Sequence, residues 1–202
     1  MSRWRARTRG PARTRALGEA LGRTAPDGAV LLLEGPLGAG KTALAQGVAA
    51  GCGVNGAVAS PTYNLILHYR GERPFTHVDL YRLEDEAALA TLDLDEILDA
   101  GGVTCVEWPG LVAERVAPPF GEIRLRPEGG DQRDVRGVLT GPGWEATDAA
   151  LAVQRTGQRL AGILERVDVR QQRGGIEVHG MPADRLHAGN TGLDQCLAQV
   201  GG

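Results

Sequence analysis

Residues 29 to 42, Ala-Val-Leu-Leu-Leu-Glu-Gly-Pro-Leu-Gly-Ala-Gly-Lys-Thr, constrain this chain more than any other stretch. The unbroken apolar run Val30 to Leu33 predicts a buried strand, and it leads directly into Gly35-x-x-x-x-Gly40-Lys41-Thr42. Successive backbone N–H groups can surround an anion only where no Cβ blocks the approach. Gly35, Gly38 and Gly40 therefore suit a loop wrapped on phosphate, to which Leu37 and Ala39 offer backbone N–H groups and Pro36, which has none, a fixed turn. Lys41 then faces the β and γ phosphates of a nucleotide, and the Thr42 hydroxyl faces Mg²⁺. Ala43 to Ala49 is expected to form a helix whose N-terminal dipole points at the anion. A chain with 30 glycines can match such a pattern by accident, but the strand before it and the helix after it are the context that distinguishes a phosphate loop.

Lysine usage agrees. Lysine and arginine total 22, and Lys41 is the one lysine, which leaves 21 arginines. A compact ammonium is kept at the position where a planar guanidinium does not fit.

At 202 residues and 42% hydrophobic composition, the chain suits one domain with additions. The absence of a membrane-length apolar run and of an apolar signal core predicts a soluble cytoplasmic protein. Cys52, Cys105 and Cys196 are widely spaced, and His68, His77, His179 and His187 are scattered, so neither a disulfide framework nor a zinc site is indicated. A net charge of -3 argues against a protein that coats nucleic acid generally. Residues 1 to 18, however, hold six arginines and no acid. That bias suits a nucleic-acid arm, a transit peptide or a solvated leader; composition alone favours a disordered basic leader over residues 1–11.

The domain is expected over residues 12–144, opening with a helix from Thr14 to Thr24. Apolar runs at 64–69 and 75–80 around Arg70-Gly-Glu-Arg-Pro74 predict a hairpin, and with it a partly antiparallel sheet. Residues 84–100 read as a mostly helical segment with an acidic face. A strand follows at Val103 to Val106, then a brief helix over 111–116 and a last hairpin from strands at 120–126 and 134–140. Residues 145–202 read as an extension, with helical spacing as far as 167 and then a largely disordered Gly-, Arg- and Gln-rich remainder.

Hydrolysis needs more than a phosphate loop. Glu107 stands at the C-terminal end of an apolar strand, where ligands of α/β sheets collect, and is the candidate Mg²⁺ carboxylate. Asp79, which also ends a strand, is the candidate for orienting the attacking water. Ser60-Pro61-Thr62-Tyr63 lies between loop and Asp79, where a segment sensing the γ-phosphate belongs; an ordinary Ser-Pro turn is the alternative. Trp108 is either a core aromatic or a wall of the nucleotide site.

Gly35-Pro-Leu-Gly-Ala-Gly-Lys-Thr42, Ser60-Pro-Thr-Tyr63, His77-Val-Asp-Leu-Tyr-Arg-Leu83 and Val106-Glu-Trp-Pro109, in that order, resemble the TsaE family of bacterial ATPases in tRNA threonylcarbamoyladenosine synthesis. The resemblance covers residues 12 to 141. It implies a three-layer α/β P-loop fold with a mixed parallel and antiparallel sheet, binding of ATP and Mg²⁺, and weak ATP hydrolysis. It also implies work with the partner proteins TsaB and TsaD on adenosine 37 of tRNAs that read codons beginning with A, with tRNA met through the complex and no membrane involved. By position, Lys41 and Thr42 match the family's phosphate and Mg²⁺ residues, Glu107 its Mg²⁺ carboxylate and Asp79 its catalytic aspartate. Ser60 and Thr62 match its switch segment, and Thr14 matches an element on the adenine side. The chain departs from the family at Pro36, where an acid is usual, in the basic stretch Arg9 to Arg13, and beyond Trp144. A small-molecule or nucleoside kinase, and a nucleotide-gated binding module with incidental hydrolysis, remain open.

Overall fold

The computed structural model describes residues 1–83, 85–90, 92, 97–98 and 101–155. The apolar strand singled out above is β2 (Ala29–Glu34), and it lies at the centre of a seven-stranded sheet of order β1-β7-β6-β2-β5-β4-β3. On one side β2 pairs in parallel with β5 (Val103–Glu107), which pairs in parallel with β4 (Phe75–Asp79). On the other it pairs in parallel with β6 (Phe120–Pro127). Antiparallel strands close both ends: β3 (Ile66–Tyr69) on β4, then β7 (Gln132–Thr140) on β6 and β1 (Ser2–Arg9) on β7. This is the expected mixed sheet, and the two hairpins fall where the sequence put them.

β1 corrects the expected leader. Residues 2–9 are paired in full with β7, from Ser2↔Leu139 to Arg9↔Gln132. Composition counted the arginines but missed their period of two: Trp4, Ala6 and Thr8 alternate with them and turn inward. Gly137 makes room for that docking, since a Cβ there would lie 2.2 Å from the Trp4 ring.

Helix α1 (Gly10–Thr24) begins directly after β1 with Pro11 in its first turn, four residues before the expected start. It packs on α2 (Lys41–Gly51) through glycines one turn apart on each helix. A Cβ on Gly18 would meet the Leu44 carbonyl oxygen at 2.1 Å, and one on Gly47 would meet that of Arg15 at 2.0 Å. The two backbones are thus in direct contact, and Leu17, Leu21, Leu44 and Val48 are sealed beside them.

After β4, α3 (Glu86–Leu89) is a single turn; the rest of the expected acidic helix falls largely outside the described residues. The expected helix over 111–116 is instead two 3-10 turns, Pro109–Leu111 and Ala113–Arg115. The last helix, α4 (Glu145–Arg155), contributes Leu151 to the main core, and the Trp144 indole N–H donates to the Thr140 carbonyl. The core therefore reaches across the expected boundary at 144. Residues 156–202, where disorder was expected, lie outside the described residues.

Helices α1, α2 and α4 share one core with one face of the sheet. On the opposite face Val30, Leu32, Val78 and Val106 are covered by Leu89, Val112 and Val116. Three layers thus exist over β2, β5 and β4. Over β6, β7 and β1 no described element covers the second face, whose side chains are mostly exposed and charged. Among the described residues no helix is long and apolar enough to cross a membrane.

Candidate functional site

The C-terminal ends of three adjacent parallel strands build the site. Register pairs Leu33 with Glu107 and Asp79 with Glu107, so the two acids stand side by side, about 4.8 Å apart in backbone. Asp79 and Glu107 are each 3% exposed. β2 delivers the chain into the loop between them and α2. Gly35 must lack a side chain, since a Cβ there would sit 2.5 Å from the Leu125 carbonyl oxygen, and Gly40 enters α2 in the left-handed region at φ 102°.

Lys41 is 4% exposed. Its ammonium donates to the carbonyls of Gly35 (2.9 Å) and Pro36 (3.1 Å) and sits 3.9 Å from the Trp108 ring centroid. Burial lowers its pKa, while Glu107 and Asp79 oppose that shift. The Thr42 hydroxyl donates to Glu107 Oε1 at 2.8 Å. These three sequence-predicted groups are therefore gathered at one point.

Trp108 takes a left-handed backbone (φ 57°), uncommon for a bulky residue, and its N–H donates to the Leu33 carbonyl. That turn brings its ring under Lys41 and against Tyr81, with ring centroids 4.9 Å apart. Trp108 thus stands against the lysine of the loop instead of in either core. A cleft of about 480 Å³ opens beyond it, lined mainly by Leu80, Leu83, Pro109 and Leu111.

The predicted switch segment reaches Asp79 directly. The Thr62 hydroxyl donates to Asp79 Oδ2 at 2.7 Å, Ser60 Oγ lies 2.8 Å from Thr62 Oγ1, and the Tyr81 backbone N–H donates to Asp79 Oδ1 at 3.0 Å. Arg82 turns away from the acids and stacks 4.4 Å over the Tyr63 ring. Thr14 is 2% exposed, with its hydroxyl on Thr8 and on the Gly10 carbonyl and its methyl beside Gly40.

Two residues escaped the sequence. His77, fully buried, places Nε2 3.0 Å from Glu107 Oε1, and its Nδ1 has no partner among the described residues. Period two offered the signal, since a residue two before Asp79 on one strand shares its face. Arg133 donates from Nε to the Ala39 carbonyl at 3.1 Å, tying the last hairpin to the phosphate loop; nothing local in the sequence marks that reach.

The chain is similar to known proteins in sequence and fold. The family profile "Threonylcarbamoyl adenosine biosynthesis protein TsaE" matches residues 8–135. The tRNA threonylcarbamoyladenosine biosynthesis protein TsaE of Bacillus subtilis is 39% identical over 140 residues, covering 69% of this chain and 87% of that protein. The protein of the same name from Mycobacterium tuberculosis H37Rv is 43% identical over 122 residues, 55% of this chain and 72% of that one. The crystal structure of Bacillus subtilis YdiB superimposes with a TM-score of 0.64 at 32% identity, covering 78% of this chain and 97% of that one.

Proposed function

This chain belongs to the TsaE family, and from that membership and the geometry above we propose that it is an ATP-binding, slowly hydrolysing ATPase of tRNA threonylcarbamoyladenosine synthesis. It works in the cytoplasm with TsaB and TsaD toward modification of adenosine 37 in tRNAs reading codons that begin with A. The observation that carries the reading is the meeting of the loop threonine with a strand-end carboxylate, Thr42 to Glu107 at 2.8 Å, beside the buried Lys41.

The donor set fits Mg²⁺. Thr42 and Glu107 offer hard oxygens, and Glu107 Oε2 accepts no hydrogen bond from the described residues. Among those residues no group of three or more His, Cys, Asp or Glu could hold a metal ion. That suits an ion which arrives with its nucleotide and keeps several waters. When bound, Mg²⁺ neutralises charge across the β and γ phosphates. Lys41 exchanges its two carbonyl partners for phosphate oxygens, and the N–H groups at the start of α2 hold the same anion. Asp79 accepts a hydrogen bond from the water that attacks the γ phosphorus. Thr62, released from Asp79, turns to the γ-phosphate and reports its presence.

Exposed large hydrophobics support the partner reading. Among the described residues they are Met1, Leu37, Tyr63 and Tyr81. Leu37 is in the phosphate loop, Tyr63 in the switch segment, and Tyr81 against Trp108. A partner seated on them touches the parts that respond to the γ-phosphate.

The test is steady-state ATPase and tRNA modification with and without the TsaB and TsaD proteins, with Lys41→Ala as the control. Slow turnover alone, a rise with partners and loss of both activities in Lys41→Ala are expected. A fast isolated enzyme that ignores the partners and yields a phosphorylated small molecule would favour the kinase.

A further inference from the structure

The uncovered face over β6, β7 and β1 carries a regular array of arginines. On β1, Arg3, Arg5, Arg7 and Arg9 all point to that face, spanning about 20 Å along the strand. Register then sets Arg5 opposite Arg136 and Arg136 opposite Arg124, a row of three across adjacent strands. Arg126 stands two residues further along β6. Against these seven arginines the face holds four carboxylates, Glu34, Glu122, Glu128 and Asp134. The excess is positive in a chain whose net charge is -3.

Like charges directly opposite on a sheet oppose folding, so a row of three arginines calls for a reason. Asp134 makes the row tolerable. It is 3% exposed and accepts from Arg5 Nε and Arg136 Nε. Burial pushes its pKa up, and those two bonds outweigh burial and hold it below the usual value, so it remains an anion at neutral pH. Bonding through Nε leaves the Nη groups of Arg136 for an acceptor outside the protein. A concavity of about 210 Å³ lies here, lined by Arg124, Arg126 and Arg136 together with Glu34, Glu122 and Asp134. Arg124 is held by Glu34, which leaves Arg126 and the Arg136 Nη groups as its open donors.

We propose that this face binds the sugar-phosphate backbone of a folded RNA stem directly. A flat, extended array of guanidiniums suits evenly spaced phosphates. The aromatic side chain on that face among the described residues, Phe120, is half-buried against the second core and presents no open ring. Single-stranded RNA would need such rings for stacking, and a protein partner would need an apolar centre, which half-buried Val138 does not supply. Duplex RNA needs neither, being recognised by shape, phosphate and 2′-hydroxyl. The proposal deepens the tRNA reading above by making RNA a direct partner, but its test requires neither ATP nor partner proteins, so the two can fail separately.

The test is fluorescence anisotropy of a labelled tRNA transcript and of a plain RNA hairpin with the full chain. Both should bind alike, with log K falling against log salt at a slope of roughly -3 for about three net phosphate contacts. Arg7→Gln/Arg9→Gln/Arg126→Gln should weaken both by about tenfold or more and flatten the slope. Glu122→Gln, which removes an opposing charge, should tighten both, and it keeps the proposal open to refutation should the triple variant fold poorly. No binding by the wild-type chain, or equal binding by all three proteins, overturns it. So does a triple variant that keeps RNA but loses an acidic protein partner.

Discussion

Replacing Gly47 with alanine adds one methyl group where two helix backbones touch. The new Cβ would lie 2.0 Å from the Arg15 carbonyl oxygen, 2.8 Å from its carbon and 2.9 Å from its Cα. All three are backbone atoms, so no rotamer change relieves the contact; α1 and α2 must part by about 1 Å to reach the closest separations that real side chains show. Overpacking of this kind costs about 1–3 kcal/mol, here toward the upper end. Alanine returns about 1 kcal/mol of helix propensity. The net expectation is a loss of roughly 1–2 kcal/mol, or about 2–8 °C in Tm for a domain of this size. Circular dichroism melts and urea titration measure it. Nucleotide affinity should fall as well, because α2 begins at Lys41 and carries Thr42 with it. A variant as stable as the parent, or more so, refutes the backbone contact, since propensity alone would then have decided the outcome.

The two acids should separate by assay. Glu107→Ala is expected to weaken Mg²⁺-dependent ATP binding by tenfold or more, while Asp79→Asn binds ATP and turns it over at least about a hundredfold more slowly; calorimetry with and without Mg²⁺, beside single-turnover hydrolysis, distinguishes them. Truncation after Arg155 should keep folding and ATP affinity, whereas truncation after Trp144 removes Leu151 from the core and should cost about 1.5–3 kcal/mol in urea titration. Burial pushes the Cys52 thiol up to about 11, partly offset by Arg73. It therefore stays protonated in the fold while the unfolded chain ionises; stability present below about pH 9 should decline as pH rises toward 11. A Cys52→Ala variant should lose part of that decline, the rest belonging to Cys105, whose thiol burial also pushes well up.

The strand, glycine-rich loop and helix from Ala29 to Gly51 were legible because a phosphate-loop pattern demands glycine at fixed offsets between a strand and a helix. Glu107 and Asp79 were legible as strand-end acids. The contacts that join these groups were less so. Thr62 reaches Asp79 across a sequence separation of 17, and spacing alone left its segment balanced between switch and turn. His77 has no motif of its own; its position two residues before Asp79 on β4, on the same strand face, is what brings it to Glu107. Arg82 lies three residues past Asp79 in sequence, yet its guanidinium is on Tyr63, because direction depends on the turn after β4. At the N-terminus, charge counting read as a leader what alternation makes a strand. Packing then supplies what sequence withholds: the slot at Gly137 and the paired acceptor Asp134 lie more than a hundred residues from β1.

Asp79 and Glu107 hang from neighbouring strands in matched register, whereas Thr62 and Tyr63 are borne on a connecting loop. The sheet ladder fixes one set as a ruler does, and the other is free to vary. Under the proposed function, changes in the loop between α2 and β3 would therefore retime ATP turnover or change the partner that reads it without disturbing the spacing of the acids. Such a division lets regulation diverge among related chains while the chemistry stays in place, and it points mutational tuning of turnover to residues 54–65 instead of to the strand ends.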